Sequence, residues 1–252
     1  LYKYLKNFFN IQIPFEYENM NYKIEVYKST LNRLNDLFNL TQTKDDKEVF
    51  HSVDINEYEK KYINDEECKK LGDLFDYYGS DKALQKYHYF YFDIFKKSKI
   101  ENMFEIGIGT NNIFIRSNMG QNGNPGASLK SFSKFYGINI YGADIDKNIL
   151  FDDHKIKTFY LDQTNIDSFN SLKNKIPNFD LIIDDGLHLP NANLNVIIEL
   201  INKLNSGGIM VIEDVEFNHK GIFETFAKIL CMQNFRVGFI KCEKSYLFTI
   251  EK

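Results

Sequence analysis

Phe104-Glu105-Ile106-Gly107-Ile108-Gly109 reads as the end of a short apolar strand that runs straight into a turn. Glycines at 107 and 109 let the backbone bend sharply and let a ligand come close. Ligands of open α/β sheets bind outside the carboxyl ends of the strands, so the position suits a binding site. A G-x-G pair by itself says little, because any strand can end in glycine. Glu105 beside it narrows the reading. Its carboxylate would repel a pyrophosphate and attract an ammonium or sulfonium group.

Outward from this turn, short apolar runs alternate with amphipathic segments. The runs are Met103–Ile108, Ile138–Ala143, Lys157–Leu161, Phe179–Ile183 and Gly208–Ile212. Ser128–Tyr136, Ile166–Asn174, Leu194–Leu204 and Ile222–Gln233 lie between or after them with helical character. Such alternation predicts βαβ units, a mostly parallel sheet and helices on both faces. Two last strands, Phe235–Lys241 and Tyr246–Ile250, are separated only by Cys242–Ser245, and so short a link permits only an antiparallel pair. The expected fold class is therefore α/β: a Rossmann-like sheet, mostly parallel, with an antiparallel C-terminal strand.

Before about residue 98 the sequence is charged and aromatic. Tyr27–Leu40 has helical spacing, with Leu31, Leu34, Leu37 and Phe38 on one face, and Lys69–Tyr78 and Gln85–Phe95 also read as helices. Thr41–Asp65 is polar and acidic and reads as loop or weak helix. The pattern divides the chain into a mainly helical extension or cap over 1–98 and a Rossmann-like domain over 99–252.

Composition excludes several classes. The 252 residues are 43% hydrophobic and 26% charged, with a net charge of −4, ordinary for a globular protein and unlike a nucleic-acid or membrane-surface binder. No apolar run approaches the ~20 residues that span a bilayer. No signal peptide is visible, and the expected location is cytoplasmic. Cys68, Cys231 and Cys242 stand singly, in no metal-ligand or disulfide spacing, and read as reduced thiols.

The second strand ends at Tyr141-Gly142-Ala143-Asp144, where an acidic side chain can accept both ribose hydroxyls of a nucleoside. Asp144 follows Gly109 by 35 residues, beyond the ~20 of a dinucleotide fingerprint. The extra length is the Gly- and Asn-rich loop Thr110–Ala127, long for a βα connection and a candidate functional loop. The third strand ends at Leu161-Asp162-Gln163, whose carboxylate could accept from an adenine amino group. Glu105, Asp144 and Asp162 on successive strand ends form a set.

A second set follows. Ile182-Ile183-Asp184-Asp185 ends the fourth strand, Gly186-Leu187-His188 turns away, and Ile212-Glu213-Asp214 ends the fifth. Asp185, Glu213 and Asp214 on neighbouring strand ends would repel unless a cation neutralised them. Oxygen ligands select a hard ion such as Mg²⁺ or Mn²⁺. Asp184 either caps the next helix or touches a cofactor amine. His188 is suited to take a proton from a hydroxyl beside the cation. His51, His154 and His219 are expected at the surface, with His219 a weak candidate for substrate contact.

At these residues the sequence resembles class I S-adenosylmethionine-dependent methyltransferases, and more narrowly the metal-dependent sugar O-methyltransferases of mycinamicin-type and bacterial capsule-cluster kinds. The matching pieces are Tyr78-Gly79-Ser80-Asp81-Lys82, Phe104–Gly109, Gly126-Ala127-Ser128-Leu129, Gly142–Asp146, Ile183–His188 and Val211-Ile212-Glu213-Asp214. The resemblance covers roughly residues 72–250. It implies S-adenosyl-L-methionine held by Glu105, Gly107, Gly109, Asp144, Asp162, Gln163, Asp184, Tyr78 and Lys82. It implies a divalent metal (Mg²⁺ or Mn²⁺) on Asp185, Glu213 and Asp214, with Asp185 and His188 catalytic. In that family a His and Tyr follow the Tyr-Gly-Ser-Asp-Lys piece; here the segment reads Gln85-Lys86-Tyr87-His88-Tyr89.

The expected activity is O-methylation of a sugar hydroxyl, on a small-molecule sugar or nucleotide-sugar acceptor such as a GDP-heptose of capsule polysaccharide biosynthesis, with no nucleic-acid or membrane partner. The N-terminal segment would cover the acceptor or form a homo-oligomer interface. A catechol-like acceptor, a nicotinamide oxidoreductase and a non-catalytic binding module are the alternatives. Glu105, the long spacing to Asp144 and the terminal antiparallel pair count against the oxidoreductase.

Overall fold

The apolar runs become strands whose side chains alternate between two cores, one on each face of a single sheet. Met103, Leu181, Ile183, Ile209 and Val211 enter one core, while Phe104, Ile106, Ile182, Met210 and Ile212 enter the other. A strand covered on both faces must be apolar at nearly every position, which is why the runs are continuous.

The computed structural model describes residues 20–40 and 50–252. In chain order the elements are α1 (Met20–Phe38), β1 (Phe50–Asp54), α2 (Ile55–Tyr62), α3 (Glu66–Tyr78), α4 (Tyr87–Lys97), β2 (Asn102–Ile106), α5 (Ala127–Tyr136), β3 (Asn139–Asp144) and β4 (Asp152–Asp153). They continue with β5 (Ile156–Tyr160), α6 (Ile166–Lys173), β6 (Phe179–Asp184), α7 (Pro190–Leu200), β7 (Leu204–Glu216), α8 (Lys220–Cys231), β8 (Arg236–Lys241) and β9 (Ser245–Glu251). The sheet has nine strands in the order β1-β8-β9-β7-β6-β2-β3-β5-β4. β7, β6, β2, β3 and β5 are parallel, and β9 lies antiparallel between β7 and β8. This is the expected Rossmann-like α/β sheet, mostly parallel, with β9 antiparallel to both of its neighbours.

Three features depart from the sequence reading. Phe50–Asp54, within the stretch expected to be loop or weak helix, is a strand that pairs parallel with β8, and α2 follows it directly; residues 41–49 of that stretch lie outside the described ones. Elements before residue 98 therefore share the sheet and the core of those after it, since Leu71, Phe75 and Tyr91 pack in the same cluster as Met103 and Ile183. The buried face of α1 is also rotated from the one expected. Val26, Thr30 and Leu37 are buried, whereas Leu31 is 63% exposed. Arg33 explains part of the turn: it reaches Glu199 of α7 at 2.8 Å and so fixes which side of α1 meets that helix.

Register brings the strand ends level. Ile106 pairs with Ala143 on one side and Asp184 on the other, and Asp184 pairs with Ile212. One residue further, Gly107, Asp144, Asp185 and Glu213 emerge together along the carboxyl rim of the sheet. All three cysteines are buried and unbridged, and burial pushes the thiols of Cys68 and Cys242 up to about 12.

Candidate active site

Alternation along the strands decides which side of the sheet each acid faces. Glu105 follows the parity of Met103, and Glu213 that of Val211, so both point toward the face covered by α3 and α4. There they meet Lys82. Its ammonium lies 2.6 Å from Glu213 Oε2, 2.8 Å from Asp185 Oδ2 and 3.3 Å from Glu105 Oε1. Burial alone would lower the proton affinity of Lys82, but the charges of Asp185, Glu213 and Glu105 raise it well above its ordinary value. Burial in turn lifts the carboxyl of Glu213 well above the usual range, Asp185 adding to the effect and Lys82 opposing it. Lys82 is thus the internal counter-ion of the rim, a role beyond the cofactor contact that the sequence implies for it.

Helix α4 supplies two more partners at helical spacing. The Tyr91 hydroxyl donates to Glu213 Oε1, and the Tyr87 hydroxyl donates to Asp214 Oδ1 at 2.5 Å. Ser245, at the start of β9, donates to the same Asp214 oxygen at 3.0 Å and lies 3.0 Å from the Tyr87 hydroxyl. Consecutive residues of a regular strand face opposite ways, yet Glu213 and Asp214 both meet α4. The β7–β9 register shifts between Ile212 and Val215, and Asp214 has φ +52°. This bulge turns Asp214 back to the side of Glu213.

Asp185, His188 and Asp214 converge in front of this layer. One ligand atom from each lies within 4.8 Å of the other two, and all three side chains are partly exposed. His188 Nε2 is 3.8 Å from Asp185 Oδ1. Two carboxylates and an imidazole form a donor set for a divalent cation, the carboxylate oxygens being the ligands that suit Mg²⁺ or Mn²⁺. Glu213 shares the Lys82 ammonium with Asp185, and its two oxygens are engaged by Lys82 and Tyr91. His188 has φ +55° in the turn after Gly186, which aims its ring back toward Asp185.

The nucleoside-type corner occupies the other half of the rim. Gly107 and Gly109 have φ +83° and +82°, the left-handed region in which glycine is at ease. A side chain at 107 would collide with the carbonyl of Asp185, so the turn and the acidic cluster stand back to back. Asp144 Oδ2 accepts the Ile108 N–H at 3.0 Å, and its Oδ1 accepts the Asp146 N–H at 2.9 Å. Each oxygen keeps a further lone pair for a hydroxyl donor. Asp162 binds the N–H and hydroxyl of Thr164 through Oδ1, in a turn.

Loop 110–126 closes over this corner. The Gly126 N–H donates to the Ile108 carbonyl at 2.7 Å, Met119 N–H to the Thr110 carbonyl at 2.8 Å, and Ser117 Oγ to the Leu187 carbonyl at 3.2 Å.

Asp184 and Gln163 lie beneath the rim. Asp184 follows the parity of Ile182 and faces α7, where Asn193 Nδ2 donates to it at 2.8 Å; Gln163 Nε2 donates to its other oxygen at 2.6 Å. Gln163 Oε1 accepts the Leu187 N–H at 2.8 Å, so the pair shapes the turn that carries His188. Tyr78 ends α3, packs edge-on against Tyr77, and makes no hydrogen bond to the acidic cluster among the described residues.

His51 and His154 are exposed, as expected, but His219 is buried against Tyr27 of α1. His88 is also buried, in a separate cavity lined by Gly72, Asp73 and Tyr89. Tyr87, Tyr91 and Ser245 are site residues that the sequence reading missed. The four-residue spacing of the tyrosines after the Tyr-Gly-Ser-Asp-Lys piece was their only signal, and Ser245 had none.

The fold is one shared with solved methyltransferase structures. No protein-family model matches the chain. It is similar to the 8-demethyl-8-alpha-L-rhamnosyl tetracenomycin-C 2'-O-methyltransferase of Streptomyces olivaceus, with 29% identity over 101 residues, 39% of this chain and 26% of that one. It is also similar to the mycinamicin VI 2''-O-methyltransferase of Micromonospora griseorubida, with 33% identity over 92 residues, 36% of this chain and 23% of that one. The matches span about a quarter of the length of these curated relatives. Among solved structures, the MycE methyltransferase of the mycinamycin biosynthetic pathway, in complex with Mg, SAH and mycinamycin VI, superposes with a TM-score of 0.55 at 20% identity, over 73% of this chain and 54% of that one. That likeness shows the fold.

Proposed function

We propose that this chain transfers the methyl group of S-adenosyl-L-methionine to a sugar hydroxyl, with a divalent metal at the acidic cluster. The observation that carries the reading is the back-to-back placement of the Gly107 turn and Asp185. A donor seated over Gly107 and Asp144 would present its methyl group toward an acceptor at Asp185, His188 and Asp214. Glu105 supplies negative charge beside the donor's sulfonium and ammonium. Ser117, by tying loop 110–126 to Leu187, limits water between the two halves.

Asp185 and Asp214 would hold the cation, which supplies positive charge that makes a neighbouring hydroxyl more acidic. Tyr87 and Ser245 hold Asp214 in place. His188 takes the hydroxyl proton on its imidazole, and the oxygen attacks the methyl carbon as the sulfur leaves. Orientation and electrostatics are the chain's contribution to the rate; the reactive carbon belongs to the cofactor.

The relatives named above are the 2'-O-methyltransferase of a rhamnosyl tetracenomycin and the 2''-O-methyltransferase of mycinamicin VI. For this chain we infer a nucleotide-activated sugar, such as a GDP-heptose of capsular or surface polysaccharide synthesis, handled in the cytoplasm. No helix among the described residues is long and apolar enough to cross a membrane.

Calorimetry with S-adenosylhomocysteine tests the donor half, and turnover of nucleotide sugars with and without chelator tests the acceptor half. Binding of NAD in place of S-adenosylhomocysteine would overturn the reading.

A further inference from the structure

We propose that Lys82 is a positioning residue that sets the methyl donor and the divalent cation against each other, because each ligand draws on a carboxylate that the same ammonium holds. The inference rests on the function proposed above and adds an energetic link between its two halves.

Three carboxylates from three neighbouring strands meet one ammonium. Glu105 stands on β2, Asp185 follows β6 and Glu213 lies on β7, and Lys82 Nζ is 3.3, 2.8 and 2.6 Å from them in that order. An ammonium has three N–H donors, one for each acid. The backbone around the cluster is tied. The Lys82 N–H meets Ser80 Oγ at 3.4 Å, the Lys82 carbonyl accepts the His88 N–H at 3.3 Å, and the Asp185 N–H donates to the Ile106 carbonyl at 2.8 Å. A change of charge at either end therefore falls on the tip of the Lys82 side chain.

The three acids differ in what else holds them. Glu213 also takes the Tyr91 hydroxyl and is the fixed point. Glu105 is fully buried, has no well-aligned hydrogen bond to either oxygen, and is reached by no cation but Lys82 among the described residues. Asp185 gives Oδ2 to Lys82, while its Oδ1 lies 3.8 Å from His188, on the side of the cation donor set. One carboxylate thus belongs to both the lysine and the metal half.

A cation at Asp185, His188 and Asp214 loosens the hold of Asp185 on Lys82 and turns the ammonium toward Glu105 and Glu213. The positive charge of a donor near Glu105 acts through the low-dielectric interior and turns the ammonium toward Asp185. Each ligand places the ammonium where it opposes the other. Methyl transfer removes the sulfonium charge, so the antagonism fades along the reaction. An unfavourable ground-state interaction that is relieved in the transition state lowers the barrier.

Calorimetry on the intact chain tests the link. Mn²⁺ is titrated into the chain saturated with S-adenosylhomocysteine and, separately, with S-adenosyl-L-methionine, with no acceptor present. The two ligands differ by the methyl group and its charge. Mn²⁺ should bind about five- to ten-fold more weakly to the S-adenosyl-L-methionine complex, and by reciprocity Mn²⁺ should shift the preference between the two ligands by the same factor. Glu105→Gln removes one arm of the exchange and should shrink the difference below about two-fold. Lys82→Met should do the same and, with no ammonium competing for Asp185, should bind Mn²⁺ more tightly than wild type when no donor is present. If Lys82→Met does not fold, Glu105→Gln carries the test. A merely structural lysine would change the melting temperature of Lys82→Met and leave the ratio alone. Equal Mn²⁺ affinity in the two complexes, or tighter binding with S-adenosyl-L-methionine, overturns the link while methyl transfer stands. A difference that Glu105→Gln leaves unchanged overturns it too, since the two ligands would then repel each other directly. Failure of wild type to bind S-adenosylhomocysteine or Mn²⁺ removes the function beneath the inference and the inference with it.

Discussion

Lys82 Nζ lies 2.6 Å from Glu213 Oε2, and each side chain is 1% exposed. A lysine this deep is tolerable only because carboxylates surround it, and those carboxylates are tolerable only because of the lysine. The pair ties the segment before α4 to the end of β7 and sets the platform on which Asp185 and Asp214 stand.

Lys82→Met should therefore cost about 3–5 kcal/mol, the usual penalty for leaving buried charge without its partner. Denaturant unfolding measures it. A loss below about 1 kcal/mol, within the range of a solvated surface pair, would mean the carboxylates find compensation elsewhere.

Asp144→Ala should weaken S-adenosylhomocysteine binding by about ten- to a hundred-fold, because two charge-assisted acceptors are lost together with the anchor of the Ile108 and Asp146 N–H groups. Calorimetry reads the change. Wild-type affinity in this variant would place the donor elsewhere on the rim.

His188→Ala should lower kcat by about 10²–10⁴-fold and leave the affinity for S-adenosylhomocysteine intact, as expected of a lost general base. Its pH–rate profile should lack the acid limb that an imidazole base gives. A metal titration separates base from ligand: unchanged Mn²⁺ affinity supports the base, and lost affinity makes His188 a ligand with Asp185 and Asp214.

Away from the site, Asp93 gives a pH-dependent stability. Burial would raise its carboxyl, but hydrogen bonds from Lys61, Lys97 and Tyr62 outweigh that and lower it. A depressed carboxyl stabilises the fold above its unfolded value and loses that contribution as pH falls through the folded one. Lys61 and Lys97 are half-exposed and screened, so the buried Tyr62 bond at 2.7 Å matters most. Asp93→Asn should cost about 1–2 kcal/mol at pH 7, with the gap to wild type closing below about pH 4. A gap that stays constant down to pH 2 would show that packing, not charge, is lost.

The sheet was legible because strands buried on both faces leave continuous apolar runs, and because Gly107, Asp144 and Asp185 stand at their ends. Strand β1 was hidden. Phe50-His51-Ser52-Val53-Asp54 is a polar edge strand with a mostly exposed burial pattern, and only its partner β8 makes it a strand. The acids of the site were visible as residue types at strand ends. Which way each one faced was not, since that depends on parity for Glu105 and Asp184 and on the bulge for Asp214. Neither Lys82 nor the α4 tyrosines could be placed among them, because the pairing joins residues more than a hundred positions apart.

The insertion of β9 between β7 and β8 has a consequence for biosynthesis. Ser245–Glu251 is made after both of the strands it joins, yet β8 and, through it, β1 reach the rest of the sheet only across this strand. While those residues are still inside the ribosome, one edge of β7 has no neighbour, β8 and β1 have no route into the sheet, and Asp214 lacks Ser245. The emerging chain must wait with an apolar strand edge open to any other strand, a period in which chaperone binding or mispairing competes with completion. Any delay in making β9 lengthens the time for which that edge stays open.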